Sequence, residues 1–343
     1  AQEPFGHRRR RGLLVQMVWS RPVRRLDTVA QLGCASACLG SLGWIFIAHL
    51  KTQDFVPAAC CAAMTTQARS SATGRMQLFG HRGASALAPE NTASSFRIAL
   101  ERGADGVECD LQRLQDEVVA LHDGTLRRTC HNCEAELLDA PIESLRYNQV
   151  QNADVGSWFS KEFRNEQLLT FAAFLELVAK HKGSCFVEVK GGDFQVVPQV
   201  VSQARASPLE ASKLIFIGFD IELMRAIKQA APEFKCFGIM YVKNTWIPWL
   251  AQRFALSFAK NCAEAGLDGA DFNAHPNVVT NRVVEQLHGN GLLCAVWAFR
   301  APASNDRSEV WKIMASRGVD YFTSNCPEEA FSWWKKHRRQ VSM

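Results

Sequence analysis

Residues 103–123, GADGVECDLQRLQDEVVALHD, decide how the rest of the chain is read. Two apolar runs, 106–111 and 118–121, are separated only by residues 112–117. A parallel crossover needs about a dozen residues or more, so these two runs are expected to form an antiparallel hairpin. With its tip near Asp116, positions equidistant from the tip face each other, which sets His122 opposite Asp110.

Outward from this hairpin the spacing changes. Apolar runs at 78–80, 185–189, 214–219, 235–241, 269–272, 292–299 and 321–323 alternate with longer stretches of helical periodicity at 92–102, 170–180, 221–229, 246–264, 279–288 and 308–317. Repeated strand and helix predicts a parallel sheet covered by helices. About eight such units in roughly 250 residues suit a TIM (β/α)₈ barrel better than an open sheet, with the hairpin as an insertion after the second strand.

The 343 residues are 47% hydrophobic and 21% charged, too apolar for a disordered chain and too evenly charged for a bundle of membrane spans. The net charge of +5 is localised: residues 1–76 carry 10 of the 39 Lys and Arg but only 3 of the 34 Asp and Glu. The body, residues 77–343, is left with 29 basic against 31 acidic side chains, a balance that argues against nucleic acid as its partner.

Residues 1–76 read as an N-terminal leader. Arg8 to Arg11 and Arg21, Arg24 and Arg25 precede an uncharged stretch at 28–48, and residues 62–74, rich in Ala, Ser and Thr, form a linker. The stretch approaches the roughly 20 apolar residues of a span, but Gln31, Gly33, Ser36, Gly40, Ser41 and Gly43 weaken it. A signal anchor giving membrane association, a cleavable secretory signal and an Arg-rich organelle-targeting peptide all fit. A soluble cytoplasmic protein starting at Met64 or Met76 fits as well. The cysteines are expected to be mostly buried thiols, and Cys130 and Cys133, without a second pair to complete a zinc site, read as incidental thiols of a loop.

Barrel chemistry gathers at the C-terminal ends of strands, so polar residues that end apolar runs are the candidates. His81, Arg82, Glu108, Asp110, His122, Asp123, Glu188, Lys190, Trp297 and Arg300 qualify. Glu108 and Asp110, and likewise Glu188 and Lys190, are two apart on a strand and share a face. Singly, each acid reads as a solvated strand-end charge. Three converging carboxylates repel one another unless a cation lies between them, and all-oxygen ligation favours Mg²⁺ or Ca²⁺. His81 and His122, each beside a charged residue, read as an acid/base pair rather than as hydrogen-bonded core histidines.

Five blocks in order then mark a resemblance: His81-Arg82-Gly83-Ala84; Pro89-Glu90-Asn91-Thr92; residues 103–110; residues 122–129; and Val187-Glu188-Val189-Lys190. Residues 77–331 resemble the glycerophosphodiester phosphodiesterase family. The resemblance implies a barrel enzyme that hydrolyses small-molecule glycerophosphodiesters to glycerol 3-phosphate and an alcohol. It implies a divalent metal on Glu108, Asp110 and Glu188, proton transfer by His81 and His122, and phosphate contacts by Arg82 and Lys190. Glu90 falls in a block that shapes the loop beside the first histidine and is placed with the substrate-binding residues, as is Trp297 near the glycerol end. The chain departs from the family pattern at Trp297-Ala298-Phe299-Arg300, where Trp-Thr-Val-Asn is common, at Ser324-Asn325, where Thr-Asp is usual, and at Gly218-Phe219-Asp220, where Ser-Phe-Asp is common. These positions bear on substrate choice. Two other readings remain: a lysophospholipase D with an apolar lip of Trp246, Ile247, Trp249 and Leu250, and a non-catalytic barrel that binds phosphorylated ligands.

Overall fold

The computed structural model describes residues 75–341, apart from 244 and 300–304. The leader therefore lies outside the described residues except for its last two. Those two belong to the body: Met76 is buried in the core, and Arg75 pairs with Asp105, 2.9 Å from Nη1 to Oδ2.

Strands β1 (Gln77–Gly80), β2 (Gly106–Arg113), β3 (Val118–Ala120), β4 (Ser184–Val189), β5 (Leu214–Gly218), β6 (Lys235–Met240), β7 (Gly269–Asn273), β8 (Leu293–Trp297) and β9 (Tyr321–Ser324) form one sheet. Parallel pairing runs β1-β9-β8-β7-β6-β5-β4-β2 and closes from β2 back to β1, so eight strands make a (β/α)₈ barrel. The long helices are α1 (Ala93–Glu101), α4 (Phe171–Lys180), α5 (Val196–Ala206), α6 (Ile221–Ala230), α7 (Pro248–Glu264), α8 (Asn281–Gly289), α9 (Ser308–Ser316) and α10 (Pro327–Val341). Short α2 (Ala135–Asp139) and α3 (Tyr147–Val150) lie in the long connection between β3 and β4. Side chains of Thr92, Thr170, Asp220 and Thr280 accept from backbone N–H groups in the first turns of α1, α4, α6 and α8, satisfying donors that have no partner within the helix.

β3 lies antiparallel on β2 with Leu111 opposite Ala120 and Arg113 opposite Val118. This register differs by one residue from the sequence expectation, because Leu121, not His122, faces Asp110, with its N–H donating to the Asp110 carbonyl at 3.0 Å. The turn explains the shift. Leu114 N–H donates to the Glu117 carbonyl at 2.8 Å, so the loop is Gln115 and Asp116, and its centre falls between two residues rather than on one. α5 is not among the helical stretches expected from the sequence; its Pro198 sits in the first turn, where its missing N–H has no carbonyl to bond.

The barrel interior is filled from below by Phe79, Phe186, Ile215, Ile217, Phe237, Ile239, Ala295 and Tyr321. Ring centroids lie 4.7 Å apart for Phe79 and Phe186 and 5.2 Å for Phe186 and Tyr321. Gly106 and Gly269 make room for this layer: a Cβ on either would come 2.8 Å from the ring of Phe79 or Phe237. A separate cluster, including Leu114, Val119, Leu126, Ile142, Val150 and Leu168, holds the β3–β4 connection together and fixes the segment that carries His122. Within it Cys130 and Cys133 form a disulfide, correcting their reading as incidental thiols; Cys109, Cys185, Cys236, Cys262 and Cys294 are buried free thiols.

Candidate active site

β1 ends at Gly80, and the next two residues turn into the barrel mouth. Arg82 adopts a left-handed backbone, φ +56°, which is uncommon outside glycine. That turn aims the Arg82 N–H at Glu108 Oε2, 2.8 Å away, while its guanidinium reaches Glu90 Oε1 at 2.8 Å and Asp110 Oδ2 at 3.1 Å. His81 Nδ1 lies 2.9 Å from Asn325 Oδ1. Because Asn325 Nδ2 donates to the carbonyls of Ala298 and Phe299, at 3.3 and 3.1 Å, its oxygen must face the histidine. Nδ1 of His81 therefore donates, and Nε2, 3.9 Å from Glu108 Oε2, keeps its lone pair toward the site. Burial and then the charge of Arg82 hold the His81 pKa down at about 4, so the ring is neutral near pH 7.

Glu108, Asp110 and Glu188 place one carboxylate oxygen each within 4.8 Å of one another. Glu108 and Asp110 are 3% and 1% exposed. Burial first, and then repulsion from Asp110 and Glu188, pushes Glu108 well above the usual carboxylate range. Burial likewise raises Glu188, to about 7, against the pull of Lys190. Asp110 goes the other way: burial would raise it, but Lys190, Arg82 and His122 outweigh that and keep it ionised. Lys190 Nζ lies 2.5 Å from Asp110 Oδ1 and 2.7 Å from Glu188 Oε1, and Asn91 Nδ2 donates to Asp110 Oδ2 at 2.8 Å.

His122 follows β3 and is partly exposed. Its Nδ1 lies 2.7 Å from Asp123 Oδ1, and Asp123 Oδ2 accepts from Arg128 Nε at 2.6 Å. Arg128 continues to Glu90 at 2.7 and 3.0 Å, and Glu90 returns to Arg82. An unbroken chain of charge-assisted bonds thus joins the two histidine-bearing segments. Glu90, expected among the substrate-binding residues, is buried, bonds both arginines and is not among the residues that line the site's cavity.

One cavity of about 110 Å³ collects the remainder. His81, Arg82, Glu108, His122, Glu188, Lys190, Asp271, Trp297 and Thr323 line it, with Ile217, Phe219 and Ile239 on a drier side. Asp110 lies beneath this surface, paired with Arg82 and Lys190. Trp297 stands 6.4 Å from the His81 ring and 4.7 Å from Phe299, centroid to centroid. Sequence reasoning missed Asn325 as the partner of His81, Arg128 as the link to Glu90, and Asp271 and Thr323 in the wall. Trp246 and Trp249, 79% and 66% exposed, do not line the cavity; α7 meets the barrel through Ala251, Ala255, Ala259 and Cys262.

The residues present fit a divalent cation. Three carboxylates that crowd one another until two resist ionisation gain most from a small, hard, multivalent ion that accepts oxygen ligands. Among the described residues this is the acidic cluster with such spacing.

A closed (β/α)₈ barrel whose strand ends unite paired carboxylates, two histidines, a lysine and an arginine defines a class of hydrolytic barrel enzymes. The glycerophosphoryl diester phosphodiesterase family matches residues 81–329, and the chain belongs to that family. The chain is 28% identical over 262 residues to a glycerophosphodiester phosphodiesterase of Caldanaerobacter subterraneus subsp. tengcongensis, a match covering 76% of this chain and 98% of that protein. It is 31% identical over 157 residues to human glycerophosphodiester phosphodiesterase 1, covering 46% of this chain and 45% of that protein. Among solved structures, an Oleispira antarctica phosphodiesterase in complex with the product sn-glycerol-3-phosphate superposes with a TM-score of 0.64 at 20% identity, covering 78% of this chain and all of that one. A glycerophosphodiester phosphodiesterase from Agrobacterium tumefaciens gives 0.59 at 22% identity, covering 75% of this chain and 99% of that one.

Proposed function

We propose that this phosphoric diester hydrolase cleaves glycerophosphodiesters to glycerol 3-phosphate and a free alcohol, with Mg²⁺ or Ca²⁺ held by Glu108, Asp110 and Glu188. The observation that carries this reading is a single cavity lined by both histidines, both cationic side chains and two of three clustered carboxylates. A cation bound there supplies Lewis-acid stabilisation of the charge that builds on the phosphoryl oxygens.

The chain's own residues do the rest. Lys190 and Arg82 line the cavity, and their charge would oppose the charge a diester phosphate gains as the attacking oxygen adds. His81, neutral and with Nε2 free, accepts the proton of the attacking oxygen. His122, whose Nδ1 meets the Asp123 carboxylate, protonates the leaving alkoxide; burial lowers its pKa and Asp110 and Asp123 offset only part of that, which makes its imidazolium a ready proton donor. The named activities of the Caldanaerobacter and human relatives support this reading.

The test is turnover of glycerophosphocholine by the full chain with Mg²⁺, with Ca²⁺ and with EDTA, following release of glycerol 3-phosphate and choline. Metal-dependent release of both products is expected. Undiminished activity after thorough chelation would remove the metal from the account, and no turnover of any glycerophosphodiester would remove the function.

A further inference from the structure

Asp271, in the middle of β7, is the least expected residue of the cavity wall. It is 1% exposed, it lines the cavity, and its Oδ1 has no hydrogen-bond partner among the described residues. Its cross-strand neighbours are Ile239 on β6 and Ala295 on β8, neither of which can bond it. It stands outside the Glu108, Asp110 and Glu188 cluster. Two further unpartnered polar atoms belong to residues that line the same cavity: Thr323 Oγ1, on a residue 1% exposed, and Trp297 Nε1. Trp297 and Thr323 are register partners on β8 and β9, and β7 pairs with β8, so all three groups come from one side of the barrel.

Buried polar groups without partners are destabilising and are normally eliminated. Three of them together, on residues that line the cavity holding the histidines, point to a ligand that completes their bonds. We propose that Asp271 and Thr323 bind the free hydroxyls of the substrate's glycerol and so select diesters that carry a vicinal diol. This deepens the proposed function and rests on it.

The chemistry of the group fits a hydroxyl better than a cation. Burial and then the charge of Glu188 push the Asp271 pKa well above the usual carboxylate range, outweighing a backbone bond from Phe272 and favouring the protonated form; a carboxylic acid both donates and accepts, as an alcohol does. Thr323 has the same dual character, and Trp297 adds a donor. A site built this way rejects an analogue lacking the hydroxyls, because its buried polar groups are then left without bonds.

The test compares glycerophosphocholine with bis(p-nitrophenyl) phosphate, a diester with no hydroxyls, using the full chain and saturating metal. Asp271→Leu is expected to lower kcat/KM for glycerophosphocholine by about 10- to 100-fold and for the aryl diester by less than about 3-fold. Its melting midpoint should rise, since a buried carboxyl with one unpartnered oxygen has gone. Asp271→Asn, which still donates and accepts, should recover most of the loss. Thr323→Val, which keeps the shape, gives a second measurement, with a loss of about 5- to 10-fold on glycerophosphocholine alone. Parallel losses on both substrates, no loss on either, or a lower melting midpoint in Asp271→Leu would overturn the proposal while leaving the proposed function standing. A wild-type chain that cleaves the aryl diester but not glycerophosphocholine would overturn both.

Discussion

Phe186 and Glu188 lie two residues apart on β4 and point into the same barrel, but their surroundings are opposite. Phe186 is fully buried among Phe79, Phe237 and Tyr321, in edge-on and tilted ring contacts that need nothing further. Glu188, one step higher, is a partly neutralised acid crowded by two others and tied to Lys190. The same step separates Tyr321 from Thr323 on β9, Phe79 from His81 after β1, and Gly269 from Asp271 on β7. The lower layer is complementary to itself, and the upper layer contains crowded like charges and unpaired polar atoms. The lower layer's content is explained by folding alone. The upper layer's content is explained only by what enters from the barrel mouth, which is the trade of stability for activity expected at a working site.

Substitutions in the two layers should separate these roles. The largest effect belongs to the upper layer: His81→Ala and His122→Ala are each expected to lower kcat on glycerophosphocholine by about 10²–10⁴-fold with an unchanged circular dichroism spectrum. Wild-type rates in either folded variant would end the catalytic assignment. The lower layer should show the reverse pattern. Phe186→Ala removes a ring packed against Phe79, Phe237 and Tyr321 and is expected to lose about 3–5 kcal/mol of stability in urea unfolding, with activity per folded molecule far less affected than in the histidine variants. An intact unfolding midpoint would show that the aromatic layer is not what fills the barrel.

The Glu90 bridge joins the loops above both layers and gives a smaller effect with a sign set by pH. Burial alone would raise the Glu90 pKa, but bonds from Arg128 and Arg82 pull it down to about 2. The folded value lies below the ordinary value of 4.5, so the stability it contributes is complete above that pH and disappears as pH falls toward about 2. Glu90→Gln is expected to lose about 1.5–3 kcal/mol at pH 7, at the lower end because Arg128 is 40% exposed, and to converge with the wild type in acid. A constant difference between the two across pH 2–7, measured by thermal unfolding, would remove the ion pairs from the account.

Strand positions were legible in the sequence because parallel strands buried on both faces leave apolar runs, and each of the nine runs became a strand. The motif residues were legible because strand ends concentrate chemistry and because period-two spacing fixes which acids share a face. The one-residue hairpin shift was not legible, since residues 112–117 do not reveal whether the turn centres on Asp116 or beside it. α5 carries Pro198 in its first turn, and a first-turn proline and a helix breaker look alike until the helix start is known. Asn325 and Arg128 act across 244 and 38 residues of chain, distances at which spacing carries no information. Asp271 did leave a signal, an acid inside the apolar run 269–272, which period-two alternation with Gly269 turns toward the interior.

The central claim is that Glu108, Asp110 and Glu188 hold one divalent ion, and the most direct test is thermal unfolding of the full chain during titration with Mg²⁺ or Ca²⁺ from a chelated start. A ligand bound only by the folded state stabilises by about 2.7 kcal/mol at 100 times its dissociation constant. The wild-type midpoint should therefore climb with metal concentration, while Glu188→Gln, folded and with its cluster reduced to two acids, should climb far less at the same concentrations. A flat wild-type curve, or an equal climb in Glu188→Gln, would contradict the claim.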